Sequence, residues 1–167
     1  MIQGISGPRG KVGIDFTAAS CLTLARSFGA VIGKGKVLVG RDTRPSGLMA
    51  FNAVKEGLLA TGHPVIDLGI IPTPAIEFAV TLLSAAGAII ITASHNPGEW
   101  NGLKFLDNNG LFLSPEKIAS VYQPPQGKGA RDGFPPSLAV ALTKASLHKI
   151  TRASAGKARQ NIYHTRE

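Results

Sequence analysis

Apolar and polar positions fall into blocks with two periods. Val37-Leu38-Val39, Val65-Ile66-Asp67-Leu68 and Ala88-Ile89-Ile90-Ile91-Thr92 are short runs rich in β-branched residues, and they predict strands. The run at 88–92 is almost free of polar atoms, as in a strand buried on both faces. Between the runs lie stretches with helical spacing. Thr17 is placed to cap a helix reaching Ala30 with Cys21, Leu24 and Phe28 on one stripe. Ser46 is placed to cap a helix over 47–61 carrying Ala50, Phe51, Val54 and Leu58, closed by Gly62. Thr73 and Pro74 predict the start of a third helix, to about Ala85, that buries Ile76, Ala79, Val80 and Leu83. Val12 to Phe16 reads as a short first strand. Leu103–Leu106 and Leu111–Leu113 flank Asp107-Asn108-Asn109-Gly110, a hairpin signal, before a short helix from Ser114 to Tyr122.

The order β, α, β, α, β, α, β and then a hairpin predicts an α/β fold: a mostly parallel sheet with helices on both faces. Pro and Gly crowd residues 123–136, which marks a linker after a domain over 1–122. Residues 137–150 have one more amphipathic pattern, and the basic, Ala/Ser-rich end is expected to be disordered. The 167 residues hold one cysteine, Cys21, so an intrachain disulfide is excluded, and a reducing, cytoplasmic setting is expected. No secretory leader pattern opens the sequence, and no apolar run approaches the roughly 20 residues of a membrane span, so no membrane partner is expected.

The formal charge of +8 raises the question of nucleic acid. Residues 1–122 carry a net +2, whereas 123–167 carry +6, interleaved with Ala and Ser rather than with stacking aromatics. Nucleic-acid binding is therefore not expected of the folded part.

Chemistry gathers in three polar stretches. Two follow predicted strands: Gly40-Arg41-Asp42-Thr43-Arg44-Pro45-Ser46-Gly47 and Thr92-Ala93-Ser94-His95-Asn96-Pro97. Polar loops at the carboxyl ends of parallel strands are where open α/β sheets bind ligands. Both would emerge at one edge and gather Arg41, Asp42, Arg44, Ser94 and His95. The third, Ile5 to Gly10, reads as a glycine-punctuated loop offering Arg9, which joins them if it folds over that edge. Gly29 to Lys34 is not a P-loop, because the spacing is short, no Ser/Thr follows the lysine, and the glycines precede a strand. A serine hydrolase also fits poorly: no Gly-x-Ser-x-Gly elbow occurs, and His95 is adjacent to Ser94. A serine that carries a phosphoryl group fits better. It needs clustered cations, for which Arg9, His95, Lys104 and Arg44 are candidates.

The run Thr92-Ala93-Ser94-His95-Asn96-Pro97, followed by Asn101-Gly102-Leu103-Lys104, resembles the phosphoserine loop of the α-D-phosphohexomutases, a family that includes phosphoglucomutase/phosphomannomutase and phosphoglucosamine mutase. Gly40 to Gly47 resembles a second signature of that family, and Ser6-Gly7-Pro8-Arg9-Gly10 its arginine loop, with Pro8 where isoleucine is common. The resemblance spans about residues 3–122, the first of four family domains. It implies a three-layer α/β/α domain with a mixed sheet whose last strand is antiparallel.

It also implies that Ser94 is a phosphoserine that exchanges its phosphoryl group with a hexose phosphate through a hexose bisphosphate intermediate. Lys104 and His95 would then act as acid/base groups or stabilise phosphoryl charge, and Arg9 would hold the loop and the incoming phosphate. Arg44, Asn96 and Asn101 would support the loop. A Mg²⁺ ion would take one ligand from the Ser94 phosphate and the others from domains this sequence lacks. The implied partners are a phosphorylated hexose and those remaining mutase domains, and the isolated chain is expected to be inactive. Two alternatives stand beside it: a phosphate- or phosphosugar-binding module that uses the same cationic edge without catalysis, and a nucleic-acid or acidic-partner adaptor acting through 123–167.

Overall fold

The computed structural model describes residues 1–4 and 6–122. The linker, helix and basic tail expected over 123–167 lie outside the described residues. Ten elements follow in order: β1 (Ile2–Gly4), β2 (Gly7–Lys11), α1 (Ala18–Val31), β3 (Val37–Arg41), α2 (Gly47–Leu59), β4 (Val65–Ile70), α3 (Thr73–Leu82), β5 (Gly87–Ile91), β6 (Trp100–Leu106) and α4 (Pro115–Tyr122). The six strands form one mixed sheet in the order β1-β2-β6-β5-β3-β4.

β3 pairs in parallel with β4 and with β5, as the expected βαβ connections require. The remaining pairings, β5 with β6, β6 with β2 and β2 with β1, are antiparallel. The last strand is antiparallel as expected. The antiparallel share is larger than the sequence suggested, because the N-terminal stretch supplies two strands. Gly7-Pro8-Arg9-Gly10 is no loop: it forms most of β2, with Arg9 opposite Gly102 and Lys11 opposite Trp100. Such a Gly/Pro sequence has no intrinsic strand signal, and its pairing partner is far away in the chain. The strand expected over 12–16 is a turn instead, in which Ile14, Asp15 and Phe16 all donate backbone N–H to the Lys11 carbonyl.

Three helices cover one face of the sheet and one covers the other. α1, α2 and α4 bury Cys21, Phe28, Val54, Leu58, Ile118 and Val121 against Val37, Val39, Ile89, Ile91, Leu103 and Phe105. α3 presses Ile76 and Val80 onto Leu38, Ala88, Ile90 and Leu106. β5 is buried along its whole length, as its composition predicted. α1 opens on a capping box, with the Thr17 hydroxyl accepting from the Ser20 amide and the Ser20 hydroxyl from the Thr17 amide. α1 and α2 approach closely at Gly57, where a Cβ would lie 2.6 Å from the Leu22 carbonyl oxygen.

Two expected caps are absent. Thr73 lies inside α3, behind Pro72 at the cap position, and Ser46 makes no side-chain bond to its own helix. The hydroxyl of Ser46 instead accepts from the fully buried Asn101 amide at 2.8 Å. The expected hairpin around 107–110 is reduced to one bridge, Leu106 to Phe112, because the Asp107 carboxylate ties up the amides of Asn109 and Leu111 in a local turn. No described helix is long and apolar enough to cross a membrane.

Candidate functional site

The loop between β5 and β6 reverses the chain at the carboxyl end of the parallel strands. Ser94 sits on it, exposed, with φ +58°. A left-handed backbone is unfavourable for a residue with a Cβ, and such geometry persists only where the surroundings dictate it.

The surroundings do so from two sides. On the amide side, the Ser94 N–H donates to Thr92 Oγ1 at 2.9 Å, and the Thr92 hydroxyl donates to Asp42 Oδ2 at 2.6 Å. Asp42 thereby fixes the hydroxyl hydrogen, which leaves the oxygen lone pair for Ser94. On the carbonyl side stands Arg44. Its Nε donates to Asp42 Oδ2 at 2.9 Å, Nη1 to the carbonyls of Pro97 and Trp100 at 2.6 and 2.8 Å, and Nη2 to those of Ser94 and Asn96 at 2.9 and 2.7 Å. A guanidinium has five N–H groups, and all five are engaged. Arg44 is therefore a brace of the loop and has no donor left for a phosphate. Asn101 supports the same region from below, joining β6 to Ser46 at the start of α2.

Arg9 arrives by strand pairing rather than by a folded-over loop. Its Nη1 donates to Asn96 Oδ1 at 3.1 Å, the one hydrogen bond its side chain makes among the described residues. Because Arg9 lies opposite Gly102, it shares a sheet face with Gly102 and Lys104. A side chain at Gly102 would meet the carbonyls of Pro8 and Thr92 at 2.7 and 2.9 Å, so this crowded crossing needs glycine. Lys104 is half-buried, with Nζ 5.6 Å from the Phe112 ring centroid. Burial pushes its ammonium below the usual lysine range, the positive charge of Arg9 pushes the same way, and Glu77 partly offsets both. His95 stands exposed beside Ser94.

Four of the five residues expected at this edge are assembled there; Arg41 is not. Its guanidinium pairs with Asp67 at 2.9 Å and lies 5.2 Å from the Phe51 ring centroid, turned towards β4 and α2. Thr92 was missed as a site residue. The available signal was a hydroxyl at the end of a buried strand, at the same level as an acidic residue following the neighbouring strand. A cleft of about 370 Å³ among Ile32, Lys34, Ser84, Asp107, Leu113 and Lys117 lies at the opposite end of the strands, away from this chemistry.

The arrangement offers an exposed hydroxyl on a rigid turn, a largely unengaged guanidinium and an amine of lowered basicity. Such a set suits transfer of an anionic group to and from the hydroxyl.

Comparison with known proteins gives a consistent answer. The family model described as phosphoglucomutase/phosphomannomutase, alpha/beta/alpha domain I, matches residues 1–128. A phosphoglucosamine mutase of Nautilia profundicola is 49% identical over 115 residues, which cover 68% of this chain and 26% of that protein. A phosphoglucomutase/phosphomannomutase of Thermococcus kodakarensis is 46% identical over 123 residues, 71% of this chain and 27% of that protein. Among solved structures, a phosphoglucomutase/phosphomannomutase family protein from Burkholderia thailandensis superposes with a TM-score of 0.61 at 31% identity, covering 71% of this chain and 28% of that one. The chain spans about a quarter of the length of the curated relatives it matches.

Proposed function

Because this chain belongs to the phosphoglucomutase/phosphomannomutase family, matching its domain I, we propose that it is the phosphoryl-carrying part of a hexose-phosphate mutase and that Ser94 is the carrier. The observation that supports this best is the exposed Ser94 on a left-handed turn braced from both sides.

In this reading, Ser94 Oγ bears a phosphoryl group. A hydroxyl of a hexose monophosphate attacks phosphorus, the P–Oγ bond breaks as the new P–O bond forms, and the hydroxyl proton passes to a base. The resulting hexose bisphosphate reorients and returns its other phosphoryl group to Ser94. Lys104, whose basicity is lowered by burial, is suited to giving a proton to the departing serine oxygen. Arg9 and His95 stabilise the phosphoryl charge, and Arg9 also holds the loop through Asn96. Asp42, Thr92, Arg44 and Asn101 keep the loop in shape.

Magnesium would neutralise phosphoryl charge in such a reaction. The described residues hold no group of three or more His, Cys, Asp or Glu side chains placed for a metal ion, and the Asp42 carboxylate is already engaged by Arg44 and Thr92. They do not make a magnesium site by themselves.

Intact-mass measurement before and after incubation with glucose 1,6-bisphosphate tests the carrier role. One added phosphoryl group, mapped to Ser94 and lost in Ser94→Ala, is expected. Modification elsewhere, or none, would overturn it. The same chain is expected not to interconvert glucose, mannose or glucosamine phosphates, since it lacks three quarters of the length of its relatives. Turnover at ordinary enzyme rates would refute that.

A further inference from the structure

Arg44 does more than hold the loop still, because the groups it collects are carbonyls. The peptide units 94–95 and 97–98 both turn their oxygens to its guanidinium, at 2.9 and 2.6 Å. Neither peptide is cis. In a planar trans peptide the N–H points opposite to the C=O. The N–H groups of His95 and Gly98 therefore project from the side of the loop facing away from Arg44. His95 and Gly98 are exposed, and neither N–H has a hydrogen-bond partner among the described residues. Within 94–98 the other amides are spoken for: Ser94 donates to Thr92, Asn96 donates to the Ala93 carbonyl, and Pro97 has none.

We propose that the His95 and Gly98 amides, aimed by Arg44, form a backbone anion site for the oxygens of a tetrahedral phosphoryl group at Ser94. This rests on the phosphoryl-transfer reading of Ser94 and names the groups that would hold the phosphoryl oxygens within it. A left-handed residue followed by outward N–H groups makes a concavity of partial positive charge, suited to an oxyanion. Arg9 adds a full positive charge beside it through Asn96. Two neutral amides give direction without mobility: they need no side chain to be ordered before they bind. In this scheme Arg44 is a positioning residue that touches no phosphate.

Titration of the ¹⁵N-labelled chain with inorganic phosphate tests the site without any turnover. The amide protons of His95 and Gly98 should move downfield together and saturate with one affinity. In Arg44→Lys, whose ammonium has three donors, that affinity should fall about tenfold or more, the size of one charge-assisted hydrogen bond. Arg9→Gln should weaken binding while the same two amides still move, since Arg44 takes the carbonyls of both peptides. Phosphate that shifts the Arg9 guanidinium but leaves both amides in place would overturn the proposal. So would unchanged affinity in a folded Arg44→Lys. Responding amides with no phosphoryl group ever found on Ser94 would leave this site standing and remove the mutase reading. Phosphorylated Ser94 with silent amides would do the reverse.

Discussion

In the half of the sheet built from β5, β3 and β4, β5 and β3 are covered on both faces, by α1 and α2 on one side and α3 on the other, and the edge strand β4 is half-buried. β6 buries Leu103 and Phe105 on the α1 side, and its other face sets Leu106 under α3 but leaves Lys104, with Arg9 of β2 on the same face, only partly buried. The closed half holds shape, and the open half holds cations. Between them, at the end of β5, stands Ser94. The covered strands fix the position of β5 by burial, so the loop beyond it can adopt a costly backbone. The open strands leave charge accessible beside that loop. The candidate site lies where the covering layer stops.

That contrast can be attacked first where it should be strongest. Ile89→Ala, in the closed half, is expected to lower stability by about 2–5 kcal/mol in urea denaturation. Arg9→Gln, in the open half, should stay within about 0.5 kcal/mol of the parent. Equal losses would erase the distinction. Asn101 lies at the junction, fully buried, and Asn101→Ala should cost about 1–3 kcal/mol by stranding its hydrogen-bond partners. A smaller cost would mean that water or a shifted loop replaces it.

Ser94→Gly should go the other way. Relief of the left-handed backbone is expected to raise stability by about 1 kcal/mol while removing the proposed phosphoryl carrier. A loss of stability would show that the turn is not strained. The smallest effect concerns Lys104. Its folded-state basicity lies below the unfolded value, so the folded chain holds fewer protons between the two pKa values, and stability should rise slightly with pH through that window. Glu77→Gln should lower the Lys104 titration midpoint further and Arg9→Gln should raise it, as read by NMR of the Lys104 side chain. Shifts of opposite sign would contradict the arrangement.

Much of the closed half was legible in the sequence. The run Ala88 to Ile91 announced its burial, Thr17 announced a cap, and the stripe from Ala50 to Leu58 announced the buried face of α2. These are local signals with a fixed period. The open half was less legible, because its structure comes from distant partners. Arg9 looked like a loop residue because its strand is made of glycine and proline, and only pairing with β6 orders it. Arg44 was open to two readings, a cation for phosphate and a support of the loop, because a sequence shows a charge but not how its donors are spent. Thr92 went unnoticed for a related reason: its hydroxyl gains meaning from Asp42, fifty residues earlier.

The phenol of Tyr122, in the last turn of α4, donates to the Gly4 carbonyl at 2.8 Å. The helix leaving this folded unit is thus buttoned to the ribbon that enters it. Removing α4 would do more than shorten the protein: it would unfasten β1, then slacken β2, and so let Arg9 drift from Asn96. The edge of the module is a working part of it.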